Sequence, residues 1–273
     1  MFWLSRKGSD LTVRSESAYV HPDAEVAADA EIGPFTYVGP GCKIGEGTRL
    51  HNNVTLVANV VLGEGNEIFP NAVVGAIPQD KKYRGEDSWV ICGDGNTIRE
   101  CVTINGGTSA GQGITRLGNN NLIMASCHIA HDCILEDGVT MANNVLLGGH
   151  VRVESHVSFG GLAAIHHFVT VGRHSFVGGL ARVTQDVPPY MLVEGNPVRV
   201  WSINKVGLKR NGFSEGAMKA LKDAHRLLFR SRTPRREAYE KMLRDHPDQG
   251  EVRVLIDFLL ASEKGNQGRA RQV

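Results

Sequence analysis

The feature that most constrains this chain is an apolar residue at every sixth position. From Val20 the series runs Val26, Ile32, Val38, Ile44, Leu50, Leu56, Leu62, Ile68 and Val74 without a miss. It resumes in the same frame at Cys92, Ile98 and Ile104. After a one-residue shift it continues through Leu117, Ile123, Ile129, Leu135, Met141, Leu147, Val153, Phe159, Ile165, Val171, Val177 and Val183. A period of six fits neither a helix, at about 3.6, nor a plain strand, at 2. It is the pattern of an all-β solenoid of hexapeptide repeats, each repeat one short strand and one turn. Three hexapeptides close a triangular coil, so residues about 18 apart stack, and about eight coils make a prism on the order of 40 Å long.

The position four after each repeat residue is usually small. Cys42, Cys127 and Cys133 take that position and Cys92 a repeat position, which predicts buried structural thiols. Five cysteines without a CxxC argue against a disulfide framework and for a reducing compartment. The opening MFWLSRKGSD is too briefly apolar for a signal peptide, and no apolar run approaches membrane-spanning length. The expectation is a cytoplasmic protein with no stable membrane insertion.

Two polar segments break the repeat, AIPQDKKYRGEDSW (76–89) and NGGTSAGQGITR (105–116). Loops expelled from a regular solenoid are common ligand elements, though plain insertions are also tolerated. After DVPPYMLVEGNP (186–197) the repeat stops. Ser214 can cap a helix carrying Ala217, Leu221, Ala224, Leu227 and Leu228 at helical spacing, and further helices follow Pro234 and Pro247. The expected division is a lead-in (1–19), a solenoid (20–190), a connector (191–213) and a C-terminal α-helical domain (214–273). Residues 201–273 carry 16 Lys/Arg against 9 Asp/Glu, whereas the rest of the chain is net acidic. A basic C-terminal part suits an acidic partner or a solvated helix face.

The stacking rule also sorts the histidines. His131 and His167 are 36 apart, two coils along one column, with Gly149 between them. His150 lies one residue beyond that column, His166 one short of it, and His128 three before His131. None is at an inward position, so five histidines gather outward on one prism edge. Edges are where solenoids pack together, which suggests a trimer with clefts between subunits. Such histidines could hold zinc between subunits. Alternatively, one neutral imidazole could act as a general base oriented by a carboxylate. On a regular strand Asp132 would point away from His131, but at a corner the alternation can fail.

HIAHDC (128–133), GGLAAIHHF (160–168), QDVPPY (185–190) and NKVGLKRNGF (204–213), in this order, resemble the acyl-ACP–UDP-N-acetylglucosamine O-acyltransferases of lipid A synthesis. The resemblance implies a left-handed parallel β-helix, a homotrimer and inter-subunit active sites. It implies transfer of an (R)-3-hydroxyacyl chain from acyl carrier protein to the 3-position of UDP-N-acetylglucosamine. It makes His131 the general base, Asp132 its helper and the Gly149 N–H the oxyanion donor. It assigns substrate contacts to Gln79, Asp80, Lys82, His128, His150 and His166, and places Asn204 and Arg210 near the nucleotide or carrier. It makes Gly179 the acyl-length position, where a small residue suggests a longer chain. It calls for no cofactor, metal or nucleic-acid partner. The chain departs from the family pattern at Asn105, His167, Val206 and Asn211, which leaves a 3-amino acceptor open beside the 3-hydroxyl. The related N-acyltransferases normally carry an extra N-terminal uridine-binding domain, and about 19 residues precede the first repeat here.

Overall fold

The structure, a computed structural model, describes residues 14–272; most of the expected lead-in lies outside the described residues. The six-residue period becomes strands only two to four residues long, in three parallel sheets. Sheet I begins at Tyr19–Val20, sheet II at Glu25–Val26 and sheet III at Glu31–Ile32, and the chain visits them in that order, coil after coil. They hold nine, eight and ten strands, the ten including two from a terminal hairpin, so the prism has about eight coils, as the repeat count predicts. Each repeat residue points inward; Ile32, Leu56, Ile98, Ile129 and Leu147 are all essentially buried. Cys42, Cys92, Cys127 and Cys133 are buried within the same core, as their repeat positions predict.

Most turns place the residue three after the repeat position in the left-handed region. Asn53, Asn71, Asn144, Asp132, His150 and Phe168 all have φ between 56° and 65°. Asn and Asp tolerate this conformation; bulkier residues pay about 1–2 kcal/mol. The coil imposes it regardless of residue type.

The two interruptions are true insertions, but only one announces its length. Leu62 pairs with Cys92 and Val74 with Ile104, each 30 residues apart. The first loop therefore adds twelve residues, two full periods, which is why the frame seemed unbroken across it. Ile104 pairs with Ile129, so the second loop adds seven and shifts the frame.

Beyond the last coil, Met191–Glu194 and Arg199–Ile203 form an antiparallel hairpin that extends sheet III. The stretch expected as connector thus holds this hairpin and a short helix, α1 (Lys205–Arg210). Helices α2 (Glu215–His225), α3 (Arg235–Asp245) and α4 (Gly250–Lys264) follow, and Ser214 caps α2 by accepting the Ala217 N–H at 3.1 Å. Leu221, Ala224, Met242, Leu255 and Ile256 form a second core that also takes in Tyr190 and Met191 from the top of the solenoid.

Candidate active site

The connection from sheet I to sheet II is the one corner where everything unusual collects. Both insertions leave from it, since each follows a sheet I strand and precedes a sheet II strand. The next coils place His131, Gly149 and His167 in one column and Asp132, His150 and Phe168 in the adjoining one.

Left-handed backbone at Asp132 (φ 62°) breaks the strand alternation and turns its side chain to the same side as His131. The His131 Nδ1–H donates to Asp132 Oδ2 at 2.7 Å. Asp132 is 3% exposed and deeply held. Its Oδ1 accepts the Thr108 N–H at 2.8 Å and its Oδ2 the Thr108 hydroxyl at 2.7 Å. Its own N–H donates to Thr115 Oγ1 at 2.8 Å. Burial acts to raise this carboxyl, but the bonds from His131 and Thr108 and the nearby His150 outweigh it and hold it below its ordinary range. Asp132 is therefore an ionised carboxylate that fixes the proton of His131 on Nδ1 and leaves Nε2 as the lone-pair nitrogen.

The His131 ring lies over Gly149. A Cβ there would stand 2.6 Å from Nε2 and 2.5 Å from Cε1, so only glycine leaves room for the ring. The Gly149 N–H donates to no group among the described residues. His150 meets His131 edge-on at 5.2 Å, stacks on Phe168 at 4.4 Å, and brings Nε2 to 3.6 Å from Asp132 Oδ2. Burial lowers its pKa against the pull of Asp132, which keeps it neutral near pH 7. His128 lies on the outer face of sheet I with Nδ1 2.7 Å from Thr103 Oγ1; burial and then His131 lower its pKa. The His166 Nδ1–H donates to the His167 carbonyl at 3.1 Å.

The insertions close the corner from below. Gly111 of the second loop packs against Asp132, where a Cβ would fall 2.1 Å from Oδ1. Glu86 of the first loop accepts from Ser109 of the second, and backbone N–H donors hold its carboxyl at about 2. Asn105 donates Nδ2 to Ile77 O at 2.8 Å, tying the two insertions at their roots. On the first loop, Asp80 Oδ1 accepts the Lys82 N–H at 2.9 Å, and the Asp80 carboxylate is close enough to act on His150. Gln79 and Lys82 are exposed on the same loop.

Other expected residues lie elsewhere. Asn204 is buried and caps α1, with Oδ1 accepting the Gly207 N–H and Nδ2 donating to His174 O at 2.9 Å, so its side chain already has structural partners. Arg210 is exposed at the end of α1. Gly179 sits at the corner between sheets III and I, across sheet I from His131, with Gly161 O 3.2 Å from where its Cβ would be. Thr108, Thr115 and Gly111 escaped the sequence reasoning. They lie within or beside a segment marked as a loop, but a loop has no register from which to predict a partner.

Ligand atoms of His131, Asp132 and His150 lie within 4.8 Å of one another, a spacing a cation could use. Both Asp132 oxygens already accept hydrogen bonds, and His131 Nδ1 carries the proton it donates. That donor set is arranged for proton transfer rather than ligation.

A parallel solenoid with a carboxylate-held imidazole beside a free glycine N–H on its edge defines a hexapeptide-repeat transferase site. Residues 114–149 match the bacterial transferase hexapeptide family, residues 186–266 the UDP-N-acetylglucosamine O-acyltransferase domain 2 family, and residues 14–112 the GMPPB C-terminal domain. The acyl-[acyl-carrier-protein]–UDP-N-acetylglucosamine O-acyltransferase of Myxococcus xanthus is 46% identical over 91% of this chain and 96% of its own. The Synechocystis enzyme of the same name is 50% identical over 68% of each chain. Among solved structures, the UDP-N-acetylglucosamine O-acyltransferase of Moraxella catarrhalis superposes with a TM-score of 0.87 at 39% identity, covering 90% of this chain and 96% of that one. The Francisella novicida acyltransferase gives 0.86 at 38% identity, covering 90% of both. This chain belongs to the acyl-[acyl-carrier-protein]–UDP-N-acetylglucosamine O-acyltransferase family and is an acyltransferase.

Proposed function

We propose that the protein transfers an (R)-3-hydroxyacyl chain from acyl carrier protein to the 3-hydroxyl of UDP-N-acetylglucosamine, the opening step of lipid A synthesis. The observation that carries the mechanism is the 2.7 Å bond from His131 Nδ1–H to the buried Asp132 carboxylate. With that proton fixed, Nε2 takes the proton of the sugar 3-hydroxyl as its oxygen bonds to the thioester carbonyl carbon. The carbonyl electrons move onto oxygen, where the Gly149 N–H stabilises the charge. Collapse expels the carrier thiolate, which takes the proton back from His131. The base contributes about 10²–10⁴-fold and the oxyanion donor about 10²–10³-fold. The thioester is already activated, so the step needs no cofactor.

Asp80, Lys82 and Gln79 on the first loop, with His128, His150 and His166, would face the sugar nucleotide. Arg210 and the basic helices would meet the acidic carrier, and Asn204 would support the same region by capping α1. Gly179 would limit acyl length, beside the exposed leucines Leu162 and Leu180 of its corner. Those leucines support a homotrimer, because large apolar side chains left exposed on a prism corner would be buried where neighbouring solenoids pack. Left-handed winding, the domain division proposed from the repeat and a cytoplasmic location complete the reading; among the described residues no helix is long and apolar enough to cross a membrane. The test is His131→Ala, assayed with acyl carrier thioester and UDP-N-acetylglucosamine. Turnover should fall at least about a hundredfold with the melting temperature retained; near-full activity refutes the base assignment.

A further inference from the structure

The residues after α4 run back to the histidine corner and dock on it. The Asp186 N–H donates to Gly268 O at 2.8 Å, and Asp186 Oδ2 accepts the Ala270 N–H at 2.8 Å. Arg269 is 4% exposed and donates Nη1 to Thr184 O at 2.8 Å. Arg271 then donates Nη1 to the carbonyl of His150 at 2.8 Å. Thr184 and Asp186 lie on the same corner as His150, two coils above it and three above the catalytic pair. The segment is itself ordered, with Asn266 N–H donating to Gln272 O at 2.7 Å. Arg271 also joins Asp132, His150, Phe168, Arg116 and Gly111 around a cavity of about 310 Å³.

We infer that Arg271 is a positioning residue of the acyl-transfer site, holding the His150 backbone so that its ring stays against Asp132 and the edge of His131. The inference rests on the proposed role of His131. His150 shares the left-handed backbone of the other turns (φ 62°), and at this turn the carbonyl is also held from outside the coil. Its N–H donates to His131 O at 3.0 Å, and its carbonyl is held by a charged donor, the stronger kind of hydrogen bond. Releasing that carbonyl frees the backbone that carries one wall of the base. Displacements on the order of 1 Å near reacting groups cost up to about a hundredfold in rate.

The test uses Arg271→Ala, Arg271→Lys and Arg271→Met in the full chain, with steady-state kinetics and NMR titration of the His150 ring. Besides burial, the groups acting on that ring are Asp132 and Asp80, which raise its pKa, and His131 and Arg271, which lower it. Arg271→Ala should lower kcat about tenfold, leave the KM for the acyl carrier thioester within about twofold, and move the His150 titration upward. Arg271→Lys keeps a charged donor and should recover most of kcat. Arg271→Met keeps an unbranched stem and serves if the alanine variant does not fold; it should behave as Arg271→Ala. Unchanged kcat, a kcat loss with His150 titrating as before, or failure of both variants to fold would overturn the inference. The titration needs no turnover, so it separates this inference from failure of the His131 assignment.

Discussion

Replacing Asp132 with asparagine tests the site at the one atom where the chemistry turns. Asp132 Oδ1 accepts the Thr108 N–H at 2.8 Å, so the amide oxygen of an asparagine must occupy that place. Its NH₂ then stands where Oδ2 now accepts from His131 at 2.7 Å. A donor facing His131 Nδ1 forces the imidazole to accept there and to carry its proton on Nε2, the nitrogen that must take the substrate proton. The negative charge that stabilises the imidazolium is lost as well. In the serine-protease triad the same tautomer reversal costs about 10⁴-fold, so a loss of about 10³–10⁴-fold is expected here, about 4–5.5 kcal/mol of barrier. The fold should survive, because asparagine satisfies the Thr108 N–H, tolerates the left-handed backbone and fills the same volume. Acyl-transfer kcat/KM and the melting temperature are measured side by side. An Asp132→Asn enzyme with more than about a tenth of wild-type activity would refute the orienting role.

Two further outcomes follow from the same geometry. Gly149→Ala should reduce kcat/KM at least about a hundredfold while shifting the melting temperature by only a few degrees, since its Cβ meets the His131 ring and not the core. His174 stacks on His156 at 4.9 Å, and burial, then His156 and Arg173, push its pKa down to about 4. Its folded pKa lies below the unfolded value of 6.5, so the unfolded chain binds the proton first. Stability from this ring is full above pH 6.5 and is lost as pH falls toward 4; the melting temperature should drop over that window less steeply in His174→Phe than in wild type.

The solenoid was legible because burial enforces a local period. Each inward residue faces the prism axis, so the repeat names the core, the cysteine environments and the vertical columns. The grouping of His131, Gly149 and His167 followed from counting alone. The role of Asp132 did not. Strand alternation sends it away from His131, and only the corner's left-handed backbone returns it. The first loop's twelve-residue length was invisible for a related reason: an insertion of two whole periods leaves the frame intact.

What the sequence determined by itself is therefore everything that repeats: the coil, its core, the edge on which the histidines gather, and through its motifs the family. The tertiary structure alone decided what does not repeat. Thr108 reaches Asp132 from a loop whose path no period governs. Arg271 reaches His150 across 121 residues of sequence, by a segment that returns from the far end of the helices. Contacts of that kind depend on where separate elements come to rest against one another, and a pattern of neighbouring residues carries no trace of it.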